Sequence, residues 1–531
     1  MKRAAPFLLV LAVVLVYANS WAAPFTYDDK IEVVGNPAIR DLGNPLAIVL
    51  ANPARVLVLA TYALNWAMGG FDPRGYHAFS IALHALNATL ALGLARRVVS
   101  PTRALLAASI WALHPLATEG VSYITGRSDA LVATWFFAAT ILWIDDSRTA
   151  DLRKRLGAFA CAALALVTKE TAVVLPLVLL AADVFLVAGG RWKLVEPKRY
   201  APLLVLLLGA GGARLAIAGW PVPEVPRPLD VHVVAQGEAW ARYLQLWLVP
   251  WGQSILQAMP ATMSVVGAVA LLAFFGAAVL AVRKGGVPAF SAAVWALPLL
   301  VTSAFVLKET MAEHRAYFAG FGLCLFVASR LPERRWVFMI PLVLGALTVR
   351  RNLAWADEPT LWGGAAARWP GSADAAYGYG KSLREARRYP EAVEGLKRVL
   401  ELDPTRIEAL DELGIAYAEQ HQFDDARHAW EEALKVAPGH CAALNDLAAL
   451  QLTQGDKDGA MRGFEGTLRA CPDDPLAHFH LGELLTGAHQ EERAIPHLQA
   501  YLAADPTGAY RPDAEALLRK MGAPTTAVGG P

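Results

Sequence analysis

The first residues with chemical reach are an adjacent acidic pair, Asp28-Asp29, just beyond an apolar run. Neighbouring carboxylates at a membrane surface repel one another, which raises the pKa of one of them. Such a group suits a general base that takes a proton from a hydroxyl. A solvated acidic turn is the plain alternative. Three later segments each bring a cation to an apolar boundary: Gly126-Arg127-Ser128-Asp129, Thr168-Lys169-Glu170-Thr171, and the stretch from Lys308 to Arg315-Ala316-Tyr317. Converging cations suit a phosphate, which arginine can grip bidentately. The alternative is snorkelling anchors with local ion pairs. His77 and His84 lie two helical turns apart and share a face with Asn87. His84 reads as packing, whereas His77 is at the outer end of its run. Two carboxylates and a histidine can hold a divalent cation beside a phosphate. No ligand set has diagnostic spacing, so the metal stays open.

The elements that must position these groups are apolar. Of 531 residues, 55% are hydrophobic and 18% charged, with a mean hydropathy of +0.36. Soluble domains carry about 25% charged residues, so a single soluble domain and a disordered chain are both excluded. The net charge of +1 gives no reason to expect nucleic acid. Four cysteines are too few for a disulfide scaffold, and none has zinc-ligand spacing. A membrane span needs ~20 apolar residues. Runs of that character predict about 11 spans, at 5–20, 76–95, 104–114, 129–144, 156–167, 172–188, 200–217, 262–282, 287–307, 315–330 and 336–349.

Basic clusters set the orientation. Lys2/Arg3, Arg96/Arg97/Arg103, Arg153 to Arg155, Arg191 to Arg199, Arg283/Lys284 and Arg330 to Arg335 share one side if the Trp-rich segment 236–250 lies in the interface. The N-terminus is then cytoplasmic, and the acidic pair and the C-terminal half lie outside the cytoplasm. In a bacterium this is an inner-membrane protein with its C-terminal half in the periplasm. Residues 1–22 also fit a cleaved signal peptide, although a retained first helix accounts for the orientation.

From about residue 370 the chain changes character. Blocks 373–406, 407–440, 441–474 and 475–508 align at a period of 34 residues, the tetratricopeptide period. Their eighth positions are Gly380, Gly414, Ala448 and Gly482, and their twentieth are Ala392, Ala426, Ala460 and Ala494. Pro404, Pro438, Pro472 and Pro506 stop the second helices. The result is an α-solenoid whose groove holds a protein or peptide partner; packing against the membrane half is the bland alternative. A capping helix is expected at 512–521. Cys441 and Cys471 fall at the two ends of the third helix pair, where a disulfide and two buried thiols are both open.

Taken together, Tyr27-Asp28-Asp29, Tyr76-His77 with His84 and Asn87, His114-Pro115 with Glu119, Gly126 to Asp129, Lys169-Glu170-Thr171 and Glu313 to Tyr317, followed by the repeats, resemble the transmembrane and tetratricopeptide repeat-containing proteins. Those look like GT-C glycosyltransferases related to protein O-mannosyltransferases. The resemblance implies an all-α fold: a polytopic GT-C-like membrane bundle over 1–352, a linker over 353–372, repeats over 373–508 and a capped tail over 509–531. It implies a polyprenyl-phosphate hexose donor, typically mannose, and Ser/Thr hydroxyl acceptors outside the cytoplasm. Asp28 or Asp29 is then the base for inverting attack. Arg127, Lys169, Arg315 and Lys308 hold the donor phosphate. His77, His114, Glu119, Asp129, Glu170, His314 and Tyr317 line the sugar and acceptor side. The sequence departs from the family pattern at Val56, Ser80, Ala117, Gly120 and His314, which bears on the sugar and acceptor more than on the reaction class. Transfer to a lipid or cell-surface glycan, and a membrane-anchored assembly protein, are the rival readings. A transporter would place its charges nearer mid-span.

Overall fold

The computed structural model describes residues 4–191, 195–219, 227–259, 264–307, 309–505 and 508–525. It divides into two compact units, Met1–Gly364 and Ala365–Pro531. The described residues are helices and their connections, with no strand.

The first unit is a bundle: α1 Ala5–Tyr17, α2 Pro45–Ala51, α3 Val56–Gly69, α4 Pro73–Ala95, α5 Pro101–Ala112, α6 Thr118–Val121, α7 Arg127–Thr149, α8 Leu152–Leu166, α9 Leu175–Ala181, α10 Ala201–Ala218, α11 Leu229–Leu248, α12 Val265–Lys284, α13 Gly286–Ala304, α14 Tyr317–Arg330 and α15 Met339–Asn352. Starts are set locally. Asp72, Ser100, Asp151 and Ser264 accept backbone N–H groups at the heads of α4, α5, α8 and α12, as N-cap residues do. Prolines occupy the first turns of α4 and α5, where their missing N–H costs nothing.

Among the described residues each apolar run expected to span is largely helical. Seven helical stretches there are long and apolar enough to cross a membrane, with an eighth if α5 and Pro115–Val121, bent by 52°, make one broken span. The difference from about 11 spans is length: α1, α8 and α14 have 13, 15 and 14 residues. Sequence reading also missed α3 as an apolar helix. The Trp-rich segment is α11, which is not among the span-forming helices; it buries Trp240 and Trp247. The indole of Trp111 donates to the Tyr317 carbonyl at 2.8 Å, joining α5 to α14 in the core.

The expected linker is folded: Leu353–Trp355 forms a 3-10 turn and α16 covers Glu358–Arg368. In the second unit four helix pairs follow: α17 Ala373–Glu385 with α18 Tyr389–Leu402, α19 Ile407–Ala418 with α20 Phe423–Val436, α21 Cys441–Thr453 with α22 Lys457–Ala470, and α23 Pro475–Gly487 with α24 Glu491–Ala504. The capping helix α25 is Arg511–Lys520. The periodic small residues sit at the crossings: a Cβ on Gly380 would meet Leu396 at 2.9 Å. Ala392, Ala426, Ala460 and Ala494 are all fully buried. Cys441 and Cys471 form a disulfide with Cα atoms 6.1 Å apart. Pro506 lies outside the described residues.

Candidate functional site

The site is built on the connections at one end of the bundle. Tyr27 takes a left-handed backbone with φ of 52°, a costly conformation for a bulky residue that surrounding contacts must hold. Its N–H donates to Glu358 at 2.8 Å and its hydroxyl to Glu309 at 2.6 Å. Its ring stands edge-on to Trp362. This clamp fixes where the next two residues point.

The two aspartates then part ways. Asp29 is 1% exposed. One of its oxygens accepts from the backbone N–H and the hydroxyl of Thr125, at 2.7 and 2.6 Å; the other accepts from the N–H of Thr26 at 3.2 Å. Asp29 therefore ties the first loop to the turn before α7. Burial raises its carboxyl to about 7, against the pull of those hydrogen bonds and with a push from Asp28. Asp28 is only partly buried and accepts from the Tyr123 hydroxyl at 2.8 Å. Tyr123 stacks on Trp355 with ring centres 5.2 Å apart. Burial first, then the charges of Asp29 and Asp28, pushes its phenol well above the usual range, so it stays a donor.

A second cluster joins four sequence candidates. Glu119 on α6 accepts from the His314 N–H at 2.9 Å, and the His314 ring Nδ1 lies 3.2 Å from the same oxygen. The other Glu119 oxygen is enclosed and has no partner. His314 Nε2 is 3.9 Å from Asp129, which Lys169 contacts at 2.5 Å. Burial lowers the His314 pKa to about 3, so its ring is neutral and these are polar contacts of an imidazole. Gly126 makes the turn fit: a Cβ there would collide with the Glu119 carbonyl. Glu313, raised to about 7 by burial and then by Glu119, accepts from Ser254 N–H, Gln257 and Gln253 at 2.8, 2.8 and 3.1 Å. It anchors the loop after α11.

Arg315 is partly exposed and donates to the Glu309 carbonyl at 2.7 Å. It lines a narrow pocket with Asp129 and Thr171, closed on the other side by Val132, Phe136, Pro298 and Phe318. Glu170 lies 3.7 Å from Arg55, an ion pair at the same end of the bundle. Lys308 lies outside the described residues.

Other candidates sit elsewhere. Arg127 is fully buried. Its guanidinium donates to Ser80, Thr61, Asn65 and the Tyr76 carbonyl at 2.8–3.2 Å and lies over the rings of Tyr62 and Phe79. These contacts leave no face for a donor phosphate, and Arg127 instead pins α3, α4 and α7. Tyr317 is a core residue whose hydroxyl meets His84 at 2.5 Å and Asn87 at 3.3 Å. His77, 1% exposed, bonds the Ala23 carbonyl at 2.9 Å. His114 accepts from Leu116 N–H at 3.1 Å and stacks on Trp247 at 4.3 Å. His77 thus packs against the first loop and His114 at the Pro115 break, and each keeps one enclosed ring nitrogen without a hydrogen-bond partner among the described residues.

Sequence reading assigned no role to Tyr123, Glu313 or Arg351. Arg351 has its Nε and one terminal nitrogen enclosed without a partner and faces Trp355 at 5.8 Å. Its signal, an Arg pair at the end of an apolar run, looks like an ordinary anchor. Among the described residues, no group of three or more His, Cys, Asp or Glu is placed to hold a metal ion.

Comparison with known proteins finds matches to both parts of the chain. Residues 56–210 match the model for dolichyl-phosphate-mannose-protein mannosyltransferase, and 360–407 and 412–475 match the tetratricopeptide repeat. Asp28 and Asp29 precede the first match. The protein O-mannosyl-transferase Tmtc2 of Drosophila melanogaster is 28% identical over 271 residues, covering 46% of this chain and 28% of that protein. The protein O-mannosyl-transferase TMTC3 of Mus musculus is 23% identical over 483 residues, covering 77% of this chain and 52% of that protein. The chain thus spans about half or less of these relatives. The resemblance seen in the motifs is borne out: the chain pairs a mannosyltransferase-like membrane part with tetratricopeptide repeats and is similar to the transmembrane and tetratricopeptide repeat-containing protein O-mannosyl-transferases.

Proposed function

We propose that this protein is a membrane glycosyltransferase that moves a hexose, mannose by resemblance, from a polyprenyl-phosphate donor to Ser/Thr hydroxyls of proteins outside the cytoplasm. Asp28 takes the hydroxyl proton. The acceptor oxygen attacks the anomeric carbon from the face opposite the phosphate, the bond from that carbon to the phosphate oxygen breaks, and the lipid phosphate leaves with inversion. Cations preorganised around that phosphate stabilise the developing charge. Arg315 is the first candidate, with Arg351 beside it; Lys169 is tied to Asp129 and holds that carboxylate in place. Glu119, Asp129 and His314 face the sugar or acceptor.

The observation that carries this reading is the division of labour in the acidic pair. Asp29 spends both oxygens on the protein's own loop, while Asp28 keeps a partly exposed carboxylate. A base must reach its proton at hydrogen-bond distance, and of the pair Asp28 is the less buried. Two further facts support the rest. The repeats form an α-solenoid, a fold suited to holding a protein partner. The Cys441–Cys471 disulfide suits an oxidising compartment, as expected of an extracytoplasmic repeat unit.

The test uses full-length protein in lipid with labelled polyprenyl-phosphate mannose, with and without extracytoplasmic acceptor proteins. Release of the lipid phosphate that depends on acceptor supports the reading. Release that is absent with mannose and other hexoses removes the enzyme; release without any protein acceptor points to a lipid or glycan acceptor.

A further inference from the structure

An apolar crevice of about 360 Å³ opens between α11, α12, α13 and α14. Its walls include Leu244, Phe274, Ala277, Ala281, Trp295 and Phe326. The small residues of α12 leave the space that larger side chains would fill. The crevice runs into a second cavity of about 270 Å³ that shares Ala277, Ala281, Pro288 and Phe326 and ends at Lys284 and Arg330. Both cations are exposed. Among the described residues neither forms an ion pair, and Arg330 rests over the Phe326 ring at 5.3 Å.

This mouth is at the end of the bundle opposite the candidate site. α14 begins at Tyr317, next to His314 and Arg315, and ends at Arg330 after 14 residues, about 20 Å along its axis. Lys284 closes α12, and α13 starts two residues later. The crevice is therefore apolar along its body and carries two unpaired positive charges where it meets water. We propose that it holds an anionic phospholipid of the leaflet on the Lys284/Arg330 side, with the chains in the crevice and the phosphate between the two cations. Charge complementarity selects an anionic headgroup: a zwitterionic lipid would bring its own cation to the same mouth. The proposal does not depend on the reaction assigned to the other end.

Full-length protein in mild detergent is titrated with phosphatidylglycerol or phosphatidylcholine, and retained lipid is counted by native mass spectrometry. Basic residues at an anionic surface add roughly severalfold each to binding, so wild type is expected to prefer phosphatidylglycerol by about tenfold. Lys284→Gln/Arg330→Gln removes the preference and leaves weak binding of both lipids. Ala277→Trp fills the crevice and lowers retention of both; if that variant does not fold, the charge pair alone decides. Equal retention of the two lipids by wild type, or a preference that survives the double charge variant, overturns the proposal. So does displacement of phosphatidylglycerol by polyprenyl phosphate at equal dose, which would give the crevice to the donor chain.

Discussion

Helix α7 carries buried charge at both ends, about 34 Å apart for its 23 residues, and the two ends are treated differently. At the far end Asp146 and Asp183 are fully engaged. Asp146 meets Arg199 and, at 2.9 Å, Arg155. Asp183 accepts from the Trp143 indole, Ser147 and Tyr200 at 3.0, 2.8 and 2.5 Å. Arg199 lies over the Trp143 ring at 4.0 Å, and its Nε is the one atom of this group left without a hydrogen-bond partner among the described residues. The near end also holds acids and cations, but with capacity left open. Among the described residues Glu119 has an oxygen and Arg351 two nitrogens without hydrogen-bond partners, and Arg315 is partly exposed. Buried polar groups are normally satisfied. A closed knot of charges holds helices together, whereas one with unspent bonding groups is prepared for something else to bind. The contrast motivates reading the far end as structural and the near end as the place to test for chemistry.

Variants at the two ends and in the repeats probe that contrast. The largest stability effect belongs to Arg199→Met, which takes the guanidinium from buried Asp183 and leaves Asp146 with Arg155 alone; removing one partner of a buried pair costs about 3–5 kcal/mol. Thermal unfolding in lipid should show it, with turnover per folded molecule unchanged. A near-zero shift would mean the far knot is not structural. Next comes Cys441→Ser/Cys471→Ser, which opens the loop of 30 residues and should cost the repeat unit about 3 kcal/mol. Limited proteolysis is expected to cut the repeats sooner and leave the membrane unit as before. Tyr123→Phe removes the donor to Asp28. One hydrogen bond to a charged group corresponds to about a tenfold fall in kcat, with an altered pH profile and little change in unfolding. An unaltered profile would show that Tyr123 only packs.

The smallest effect is a slope with pH. Asp29 titrates at about 7 when folded and at about 3.9 when unfolded, so the folded chain binds that proton more tightly. Stability therefore falls as pH rises between those values and is level above them. Glu313, also at about 7, adds to the same slope. Asp29→Asn should flatten part of it in unfolding measured from pH 4 to 8; an unchanged slope would place the titration elsewhere.

The repeats were legible from sequence because each touches mainly its neighbours. The period of 34 residues carried the helix pairs, the buried alanines and the site of the disulfide. The acidic pair was legible as a pair. Its division was not, because it depends on Thr125 and Tyr123, 96 and 95 residues away. Arg127 was misplaced for the same reason: a charged letter beside an apolar run does not reveal the neutral acceptors, Asn65 and Ser80 among them, that fold around it. The short spans were overcounted because hydropathy reports character and not helix length.

The most direct measurement compares acceptor-dependent release of polyprenyl phosphate by wild type, Asp28→Asn and Asp29→Asn, with thermal unfolding of each recorded alongside. Loss of a general base costs about 10²–10⁴ in rate. The expected result is a loss of that size in Asp28→Asn with unfolding unchanged, and in Asp29→Asn a smaller loss accompanied by changed stability. Asp28→Asn turning over at the wild-type rate, or only Asp29→Asn losing turnover with its fold intact, would contradict the assignment of the open end of α7 to chemistry through Asp28.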